Sequence, residues 1–448
     1  MRRRFTSSLL GPVLAVLLDA GAAQAADLLQ VYRDALANDA QFAAAKEQLA
    51  AGQERVPQAR AGLLPNVSLS ANTTYNDAEN SFRTSPTLET AQKFNSNGYQ
   101  VLLSQPLFRW QNWVQYDQAK LQVAQAEMQF ASARQDLIVR AVQAYFDVLL
   151  ANFNLGVARG QKEAISQQLE QAKKNFEVGV ATITDSQEAQ ARYDLAVAQE
   201  IAAQNDLEVK RQALRVIIGR EPDELKPLKK DVQLQRPQPD DMQKWAESAE
   251  QNGYPVQIQQ AQAEIARREV DRTRAGHYPT VDVVASYTKS SAGASLAGTF
   301  NFGNDLTQSA IGLQLALPIY QGGAVSSRER EAAALHGKAL QDLDSARRNA
   351  ALAARQSYLG VTNGLAQINA LRQAVVSSGS ALESNKLGYD VGVRINIDVL
   401  NAQQQLYSTE RDLAKAAYDT LLAQLRLKSA AGTLVEEDVQ ALNALLAQ

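Results

Sequence analysis

The sequence predicts an α+β membrane protein made of two tandem copies of one unit, each with a pair of amphipathic β-strands and two very long α-helices. Three observations support this fold class. Residues 107–221 and 319–448 contain no proline, which leaves room for helices of unusual length. Residues 65–75 and 279–289 alternate apolar and polar side chains, as half-exposed strands do. Landmark residues also recur at a nearly constant distance along the chain.

The first 25 residues are predicted to be a secretory signal peptide. Arginines at positions 2–4 precede a short apolar run at residues 9–18 and an Ala-Gln-Ala cleavage site at residues 23–25. The run is about half the ~20 residues that a membrane-spanning helix needs, so an anchor is not predicted. The mature chain is expected to be exported. It has no cysteine for a disulfide or a lipid anchor.

Composition argues against nucleic-acid binding and against catalysis. The formal net charge of −3 predicts no basic surface for nucleic acid. Two histidines, His277 and His336, lie 59 residues apart and offer little for a metal site. The sequence has no Walker-type phosphate loop, no nucleophile elbow and no zinc-protease motif. No catalytic residue, cofactor or metal is therefore predicted, and the chain is not expected to be an enzyme.

Corresponding residues recur about 213 positions apart along the chain. Four pairs keep the same order in both halves: Asn38 with Asn252, Pro65 with Pro279, Pro106 with Pro318, and Gly179 with Gly392. The sequence therefore predicts two repeats, residues 26–235 and 236–448. A segment rich in proline and charge, residues 220–240, links them.

Each repeat is predicted to open with a helix and to continue into two β-strands. The opening helices lie at residues 28–60 and 242–274, and each stops before an Arg-Ala-Gly sequence. The four strands share an alternation of apolar and polar side chains and are placed at residues 65–75, 99–106, 279–289 and 308–318. Long polar loops, at residues 76–97 and 289–307, are expected to connect the strands of each pair.

The alternation in the strands favours the wall of a membrane β-barrel. Val67, Leu69 and Tyr75 share one face of the first strand, whereas Ser68 and Asn72 share the other. Two half-buried hairpins of a soluble sheet are the alternative. Four strands cannot close a barrel, and open edges in lipid would leave backbone groups unpaired. The strands must then be completed by other copies, and three copies would supply twelve.

Two long helices follow each strand pair. They are predicted at residues 110–178, 183–219, 322–391 and 396–431, with a C-terminal segment after the last. Apolar residues at heptad spacing, such as Val399, Leu406 and Leu413, predict coiled-coil packing. The first helix would be about 100 Å long at ~1.5 Å per residue. Gly179 and Gly392 separate the helices of each pair, because glycine readily ends a helix in the left-handed conformation.

Several long segments of the chain resemble the TolC family of outer-membrane efflux and secretion channels. The resemblance is carried by DLLQVYRDALANDAQ, by RAGLLPNVSLSA with RAGHYPTV, by SQPLF with LPIYQGG, by GYDVGVRINIDVLNAQQQLYSTERDLAKAAYD and by KSAAGTLVEEDVQALNALL. It covers essentially the whole mature chain. It implies a homotrimer whose twelve-stranded β-barrel lies in outer-membrane lipid, with four strands from each chain. A long α-helical coiled-coil barrel would continue into the periplasm.

The resemblance also implies partners and a gate. The closed periplasmic end of the tunnel would be opened by an inner-membrane transporter with its periplasmic adaptor protein. The turns at Gly179 and Gly392 would be the hairpin tips that contact these partners. The residues that match the family's gate are Thr184, Asp185, Tyr389 and Arg394. A simpler interpretation of part of this set is that Thr182, Thr184 and Asp185 cap the helix that begins there.

Asp398 and Asn401 match the family's pore constriction, where rings of acidic side chains favour cations. Asp398 matches the first position, but the second position holds Asn401 instead of an acid. A ring of asparagine is neutral, so we expect weaker cation selectivity and weaker inhibition by multivalent cations.

The leading functional prediction is a passive trimeric exit duct of tripartite efflux pumps, type I protein secretion systems or both. A periplasmic coiled-coil scaffold that bridges the two membranes is the alternative, but it would lack the two matched strand pairs. An exported enzyme is disfavoured because no cluster of nucleophile, base and orienting residue is visible. The sequence leaves open whether the cargo is a drug or a polypeptide. The absence of cysteine favours the group without a lipid anchor.

Overall fold

The computed structural model describes residues 26–82, 85–180, 182–229, 232–294 and 302–447. The predicted signal peptide at residues 1–25 lies outside these ranges. In both halves, short helices are followed by two antiparallel strands and then by two long helices.

The helices and strands have the following bounds. The first half contains α1 (Leu28–Asn38), α2 (Ala40–Gln53), α3 (Arg55–Ala61), β1 (Asn66–Phe82), β2 (Ser85–Phe108), α4 (Trp110–Glu177) and α5 (Ile183–Ile218). The second half contains α6 (Met242–Asn252), α7 (Tyr254–Arg274), β3 (Thr280–Ala292), β4 (Asn304–Ala316), α8 (Ala324–Asp390), α9 (Asn396–Ala430) and α10 (Glu436–Asn443).

The opening helices are interrupted, so the single helices predicted at residues 28–60 and 242–274 are wrong in this respect. Asp39 lies between α1 and α2, and its side chain accepts a hydrogen bond from the backbone N–H of Phe42 (2.6 Å). This N-cap starts a new helix because it satisfies one of the free N–H groups of the first turn. Gly253 separates α6 from α7 in an extended conformation.

The four strands form one antiparallel sheet in the order β1-β2-β3-β4. Facing residues share a side of the sheet, because side chains alternate strictly along each strand. One row across all four strands is apolar: Val67, Leu103, Ala285 and Ile311. A row on the opposite face is polar: Ser70, Gln100, Thr288 and Gln308. The sheet therefore has one apolar and one polar face.

The first hairpin is longer than predicted, and the loop expected at residues 76–97 is wrong for most of its length. β1 and β2 remain paired through this segment, with Asn76 facing Phe94. Backbone hydrogen bonds hold the two strands together here, although their side chains show no apolar alternation. An ion pair between Lys93 and Asp77 (2.9 Å) also joins the strands. In the second hairpin, β4 overlaps the strand predicted at residues 308–318, but it begins at Asn304 and ends at Ala316. Residues 295–301 of the predicted loop lie outside the described ranges.

The two outer strands of the sheet are β1 and β4. Among the described residues each pairs with one neighbour, which leaves one side of its backbone without a partner strand. Every residue of β4 is exposed, including the large apolar side chains Ile311, Leu313 and Leu315. The sheet thus has two open edges and an uncovered apolar face.

The long helices give the molecule its shape. α4 has 68 residues and α8 has 67, so each is about 100 Å long. Their ends, and those of α5 and α9, fall within two residues of the predicted bounds. α4 packs along α5, α8 packs along α9, and α4 also contacts α7 and α9. Within the described ranges, none of the helices combines the length and apolar content that a membrane crossing requires.

The main hydrophobic core lies where α1, α4, α5, α9 and α10 meet. Its largest fully buried side chains include Tyr32, Tyr145, Phe146, Leu214 and Leu421. The hydroxyl of Tyr145 donates a hydrogen bond to the backbone oxygen of Lys226 (2.8 Å) in the linker, and burial raises the pKa of this hydroxyl. The core therefore fixes the linker and the C-terminal helix against the middle of the long helices.

Candidate functional site

The two helical hairpins end in tips of the same backbone geometry. Gly179 follows α4 with φ +78°, and Gly392 follows α8 with φ +77°. In the first tip the N–H of Val180 donates to the oxygen of Asn175 (2.9 Å), and in the second the N–H of Val393 donates to that of Gly388 (2.8 Å). These bonds satisfy carbonyl groups at the helix ends, and the left-handed conformation favours glycine.

The tips expose apolar side chains to solvent. Those with more than three fifths of their surface exposed are Val178, Val180, Leu387, Val391, Val393 and Ile395. Exposed apolar side chains are ordinary when they are scattered, but here they cluster at the ends of two adjoining hairpins. The tip surface, which we define as these six residues, is therefore suited to contact with another protein.

Asp185 takes part in a helix cap within its own chain. Thr182 is the N-cap of α5, and its hydroxyl accepts a hydrogen bond from the N–H of Asp185 (3.3 Å). The carboxylate of Asp185 accepts in return from the N–H of Thr182 (3.0 Å). Such a reciprocal capping box satisfies two free donors. Thr184 lies inside the first turn of α5, so the expectation that it caps the helix is wrong.

Tyr389 connects the two tips. Its hydroxyl accepts a hydrogen bond from the side-chain amide of Asn175 near the end of α4 (3.2 Å). This contact holds the α8 end beside the α4 end. Asn175 was not predicted, because a contact between residues 214 positions apart has no local sequence signal.

Arg394 and Asp398 form an ion pair at the start of α9. The guanidinium lies 3.5 Å from the carboxylate across four residues, and both groups are partly exposed to solvent. A partly exposed ion pair contributes only about 0–1 kcal/mol, so it is easily exchanged for another partner.

Asn401 is held by an arginine from α5. Nη2 of Arg192 donates to Oδ1 of Asn401 (3.1 Å), and Nη1 donates to Oε1 of Gln404 (3.2 Å). Neither Arg192 nor Gln404 was predicted. The helical spacing of residues 398, 401 and 404, which places polar side chains along consecutive turns of α9, could have found Gln404. Arg192 has no such signal, because it lies 209 positions from Asn401 in the chain.

A charged cluster joins α4 to α5 farther from the tip. Glu200 accepts hydrogen bonds from Nζ of Lys162 (2.6 Å) and from Nε of Arg159 (3.2 Å). The hydrogen bond from Lys162 lowers the pKa of the Glu200 carboxyl, with a smaller contribution from Arg159. This cluster joins the two helices of the first hairpin at one level.

The single chain brings the predicted gate residues to one end of the molecule without joining them all. Among the described residues, no hydrogen bond or ion pair connects Thr184 or Asp185 to Tyr389 or Arg394. Their predicted role in holding a tunnel shut therefore concerns contacts between chains and stays a prediction. The same is true of Asp398 and Asn401 as a constriction.

These features define a class of protein. A sheet with an apolar face and two open edges, joined to paired helices of about 100 Å, is the architecture of a membrane channel with a long helical extension. Residues 31–220 and 245–433 each match the family described as Outer membrane efflux protein. The chain belongs to this family.

Relatives of known name agree with this assignment. The chain is 33% identical over 452 residues to outer membrane protein TolC of Vibrio cholerae serotype O1, which covers 98% of this chain and 97% of the relative. It is 34% identical over 432 residues to TolC of Escherichia coli strain K12, covering 95% and 86%. It is 33% identical over 436 residues to the proteases secretion protein PrtF of Dickeya chrysanthemi, covering 95% and 92%.

Solved structures show the same fold. The outer membrane protein VceC from Vibrio cholerae has a TM-score of 0.75 at 21% identity and covers 90% of this chain and 96% of its own. The CmeC outer membrane channel of Campylobacter jejuni has a TM-score of 0.79 at 16% identity, covering 93% and 88%.

The resemblance to the TolC family and the predicted α+β channel fold are confirmed. The protein is an exit channel of the outer membrane, its helical part lies in the periplasm, and it is not an enzyme. The alternative of a periplasmic scaffold is set aside on the same grounds.

Proposed function

We propose that three copies of this chain close a twelve-stranded barrel in the outer membrane. The open edges of β1 and β4 carry this proposal. A backbone group without a partner costs several kcal/mol in lipid, so a membrane sheet must close on itself. Four strands are too few, whereas β1 of one copy can pair with β4 of the next. Twelve is an even number within the range of known barrels.

The orientation of the sheet supports the same arrangement. Its apolar row, which includes Val67 and Ile311, would face lipid. Its polar row, which includes Ser70 and Gln308, would line a wet interior. The paired helices of three copies would then surround a hollow cylinder that continues the barrel into the periplasm.

The tips would close this cylinder at rest. Within one chain, Asp185 caps α5 and Tyr389 contacts Asn175, so the predicted latch with Thr184 and Arg394 would form between neighbouring copies. Asp398 lies in the first turn of α9 and would narrow the tunnel just inside the tip.

Opening requires partner proteins, because the chain has no chemistry that supplies energy. The tip surface offers an apolar contact for a periplasmic adaptor, which would couple the channel to an inner-membrane transporter. The family name supports efflux of small molecules. PrtF, named for secretion of proteases, supports export of polypeptides, and we propose that this channel serves both kinds of system.

Cysteine cross-linking tests the trimer directly, because the natural chain contains no cysteine. Ser70→Cys in β1 is combined in turn with Gln308→Cys and with other positions on the same face of β4. Closure between copies predicts cross-linked dimers and trimers for at least one pair after oxidation in membranes. The control combines Ser70→Cys with Gln100→Cys, which face each other within one chain and should give monomers. Monomers from every β1–β4 combination, together with a monomeric mass in detergent, would refute the trimer.

Deletion of the gene tests the cargo. A drug-susceptibility panel should show increased sensitivity if the channel serves efflux. Comparison of proteins in the culture medium should show a missing polypeptide if the channel serves secretion. Complementation of the deletion with Arg394→Ser distinguishes a channel that no longer transports from one that leaks. A leaky channel restores transport, but it also admits large antibiotics into the cell.

A further inference from the structure

Arg192 bridges two helices at the level of the predicted constriction. It lies on α5, and its two terminal nitrogens donate to side-chain oxygens of Asn401 and Gln404 on consecutive positions of one face of α9. The planar guanidinium fork suits such a two-point contact, which fixes the arginine at this level of the helices.

The charge of Arg192 is not neutralised by its partners. Both acceptors are amide oxygens, which carry no formal charge. Across the part of the chain that the structure describes, no ion pair involves Arg192. An arginine stays protonated at any ordinary pH, so Arg192 brings one full positive charge to this level of each chain.

At the neighbouring level of α9, toward the tip, the charge is paired. Asp398, one turn closer to the tip, is paired with Arg394 at 3.5 Å. The carboxylate that matches the family's acidic ring is therefore balanced by a cation within the same chain. The pair contributes little net charge, whereas Arg192 adds a positive charge at the Asn401 level.

The position of Asn401 on α9 places this charge away from the packed seam. Val399, Leu400 and Gln403 are buried against other helices, whereas Asn401 is exposed. At 100° per residue, Asp398 and Asn401 lie on the face opposite the buried one. Arg192 reaches this exposed polar face from the side.

We propose that Arg192 determines the ionic selectivity of the tunnel at the Asn401 level and makes it favour anionic solutes. The inference rests on the trimeric channel proposed above, in which three copies place a ring of three arginines around the pore. A ring of one sign of charge concentrates counter-ions and repels ions of the same sign. The neutral ring expected from Asn401 alone is thus replaced by a positive one.

Reversal potentials in planar lipid bilayers under a KCl gradient test this proposal. We expect the chloride-to-potassium permeability ratio to fall by at least ~3-fold in Arg192→Gln and to be retained in Arg192→Lys, which keeps the charge. Arg215→Gln is the matched control on the same helix, because Arg215 pairs with Glu221 far from the tip and should leave the ratio unchanged.

Block by a multivalent anion provides a second measurement. Hexacyanoferrate added from the periplasmic side should block the wild-type current, and Arg192→Gln should weaken the block by ~10-fold or more. Asn401→Asp supplies an independent variant that keeps Arg192, since the new carboxylate would pair with the guanidinium and neutralise the ring. It should shift selectivity in the same direction as Arg192→Gln.

The outcomes separate this inference from the proposed function. A wild-type protein without any conductance would contradict the channel itself. A conducting channel with equal selectivity in wild type and Arg192→Gln would overturn the role of Arg192. Equal loss of anion preference in Arg192→Lys and Arg192→Gln would also overturn it, because the hydrogen-bond geometry rather than the charge would then be responsible. Should Arg192→Gln fail to fold, Arg192→Ala, which also removes the charge, replaces it in both measurements.

Discussion

Replacement of Gly364 by alanine should destabilise the protein, because α8 and α9 approach very closely at this residue. A Cβ added to Gly364 would lie 3.2 Å from Cβ and 3.3 Å from Cγ2 of Thr420, and far inside van der Waals contact with its hydroxyl oxygen. Thr420 is buried and cannot move aside freely. Overpacking of this kind costs roughly 1–3 kcal/mol. Alanine recovers up to about 1 kcal/mol through its higher helix propensity, so we expect a net loss of about 0.5–2 kcal/mol.

Two other glycines of α8 are matched controls. A Cβ at Gly379 would meet nothing within 4 Å, so Gly379→Ala should stabilise the helix by up to about 1 kcal/mol. A Cβ at Gly360 would lie 3.3 Å from Cβ of Ala423, so Gly360→Ala should fall between the two. Thr420→Ala removes the hydroxyl and the methyl group, and it should restore part of the stability of Gly364→Ala.

Thermal unfolding of the purified protein in detergent, followed by circular dichroism at 222 nm, measures the series. For a chain of this size we expect the melting temperature to change by about 1–2 °C for each kcal/mol, because this change becomes smaller as chains become longer. The expected order of melting temperatures is Gly379→Ala, then Gly360→Ala, then Gly364→Ala. Equal melting temperatures for the Gly364 and Gly379 variants would refute the close approach of the two helices.

Three further predictions concern the gate, a tip and the core. Arg394→Ser should raise single-channel conductance by weakening the closed tip, whereas Arg348→Ser, which removes an ion pair of the same spacing within α8, should not; equal conductance in both would count against the latch. Gly179→Ala should cost about 1–2 kcal/mol of local stability, because φ is +78° and a residue with a Cβ is strained in this left-handed conformation. No described atom lies within 4 Å of the added Cβ, so a clash does not contribute; unchanged hydrogen exchange at the tip would contradict this. Burial opposes ionisation of Asp39, but hydrogen bonds from Arg140 and from the backbone outweigh it and lower the pKa of the carboxyl. The stability from this pair should therefore be complete above pH ~4 and lost as the pH falls through the lowered pKa of Asp39, so the reduction of the unfolding midpoint by Arg140→Gln should be largest at neutral pH and should shrink in acid; a reduction that stays constant down to strong acid would exclude the pair.

The long helices follow from local properties of the sequence. Two proline-free stretches, high helix propensity and glycine at each turn predict where α4 and α8 begin and end, because helix boundaries depend on neighbouring residues. The alternation of the strands also predicts which face is apolar. The extension of β1 and β2 could not be predicted this way, since residues 76–97 are polar and the strands are held there by backbone pairing between them.

The candidate site shows the same division. Its positions at the tips follow from the turns at Gly179 and Gly392, and its residue types from the resemblance. The partners of these residues do not follow: Asn175 contacts Tyr389, and Arg192 contacts Asn401, across more than 200 positions of the chain. Such contacts depend on which helices lie side by side, and local sequence holds no record of that.

By itself, then, the sequence determined the lengths of the helices, the two faces of the sheet and the family. Tertiary structure alone decided which side chains share a level along the rod. The physical reason is that helix length and strand alternation arise from residues close in the chain, whereas the register between packed helices arises from their combined packing. A shift of one turn between α5 and α9 would move Arg192 about 5.4 Å from Asn401, and the charge at that level would change with it.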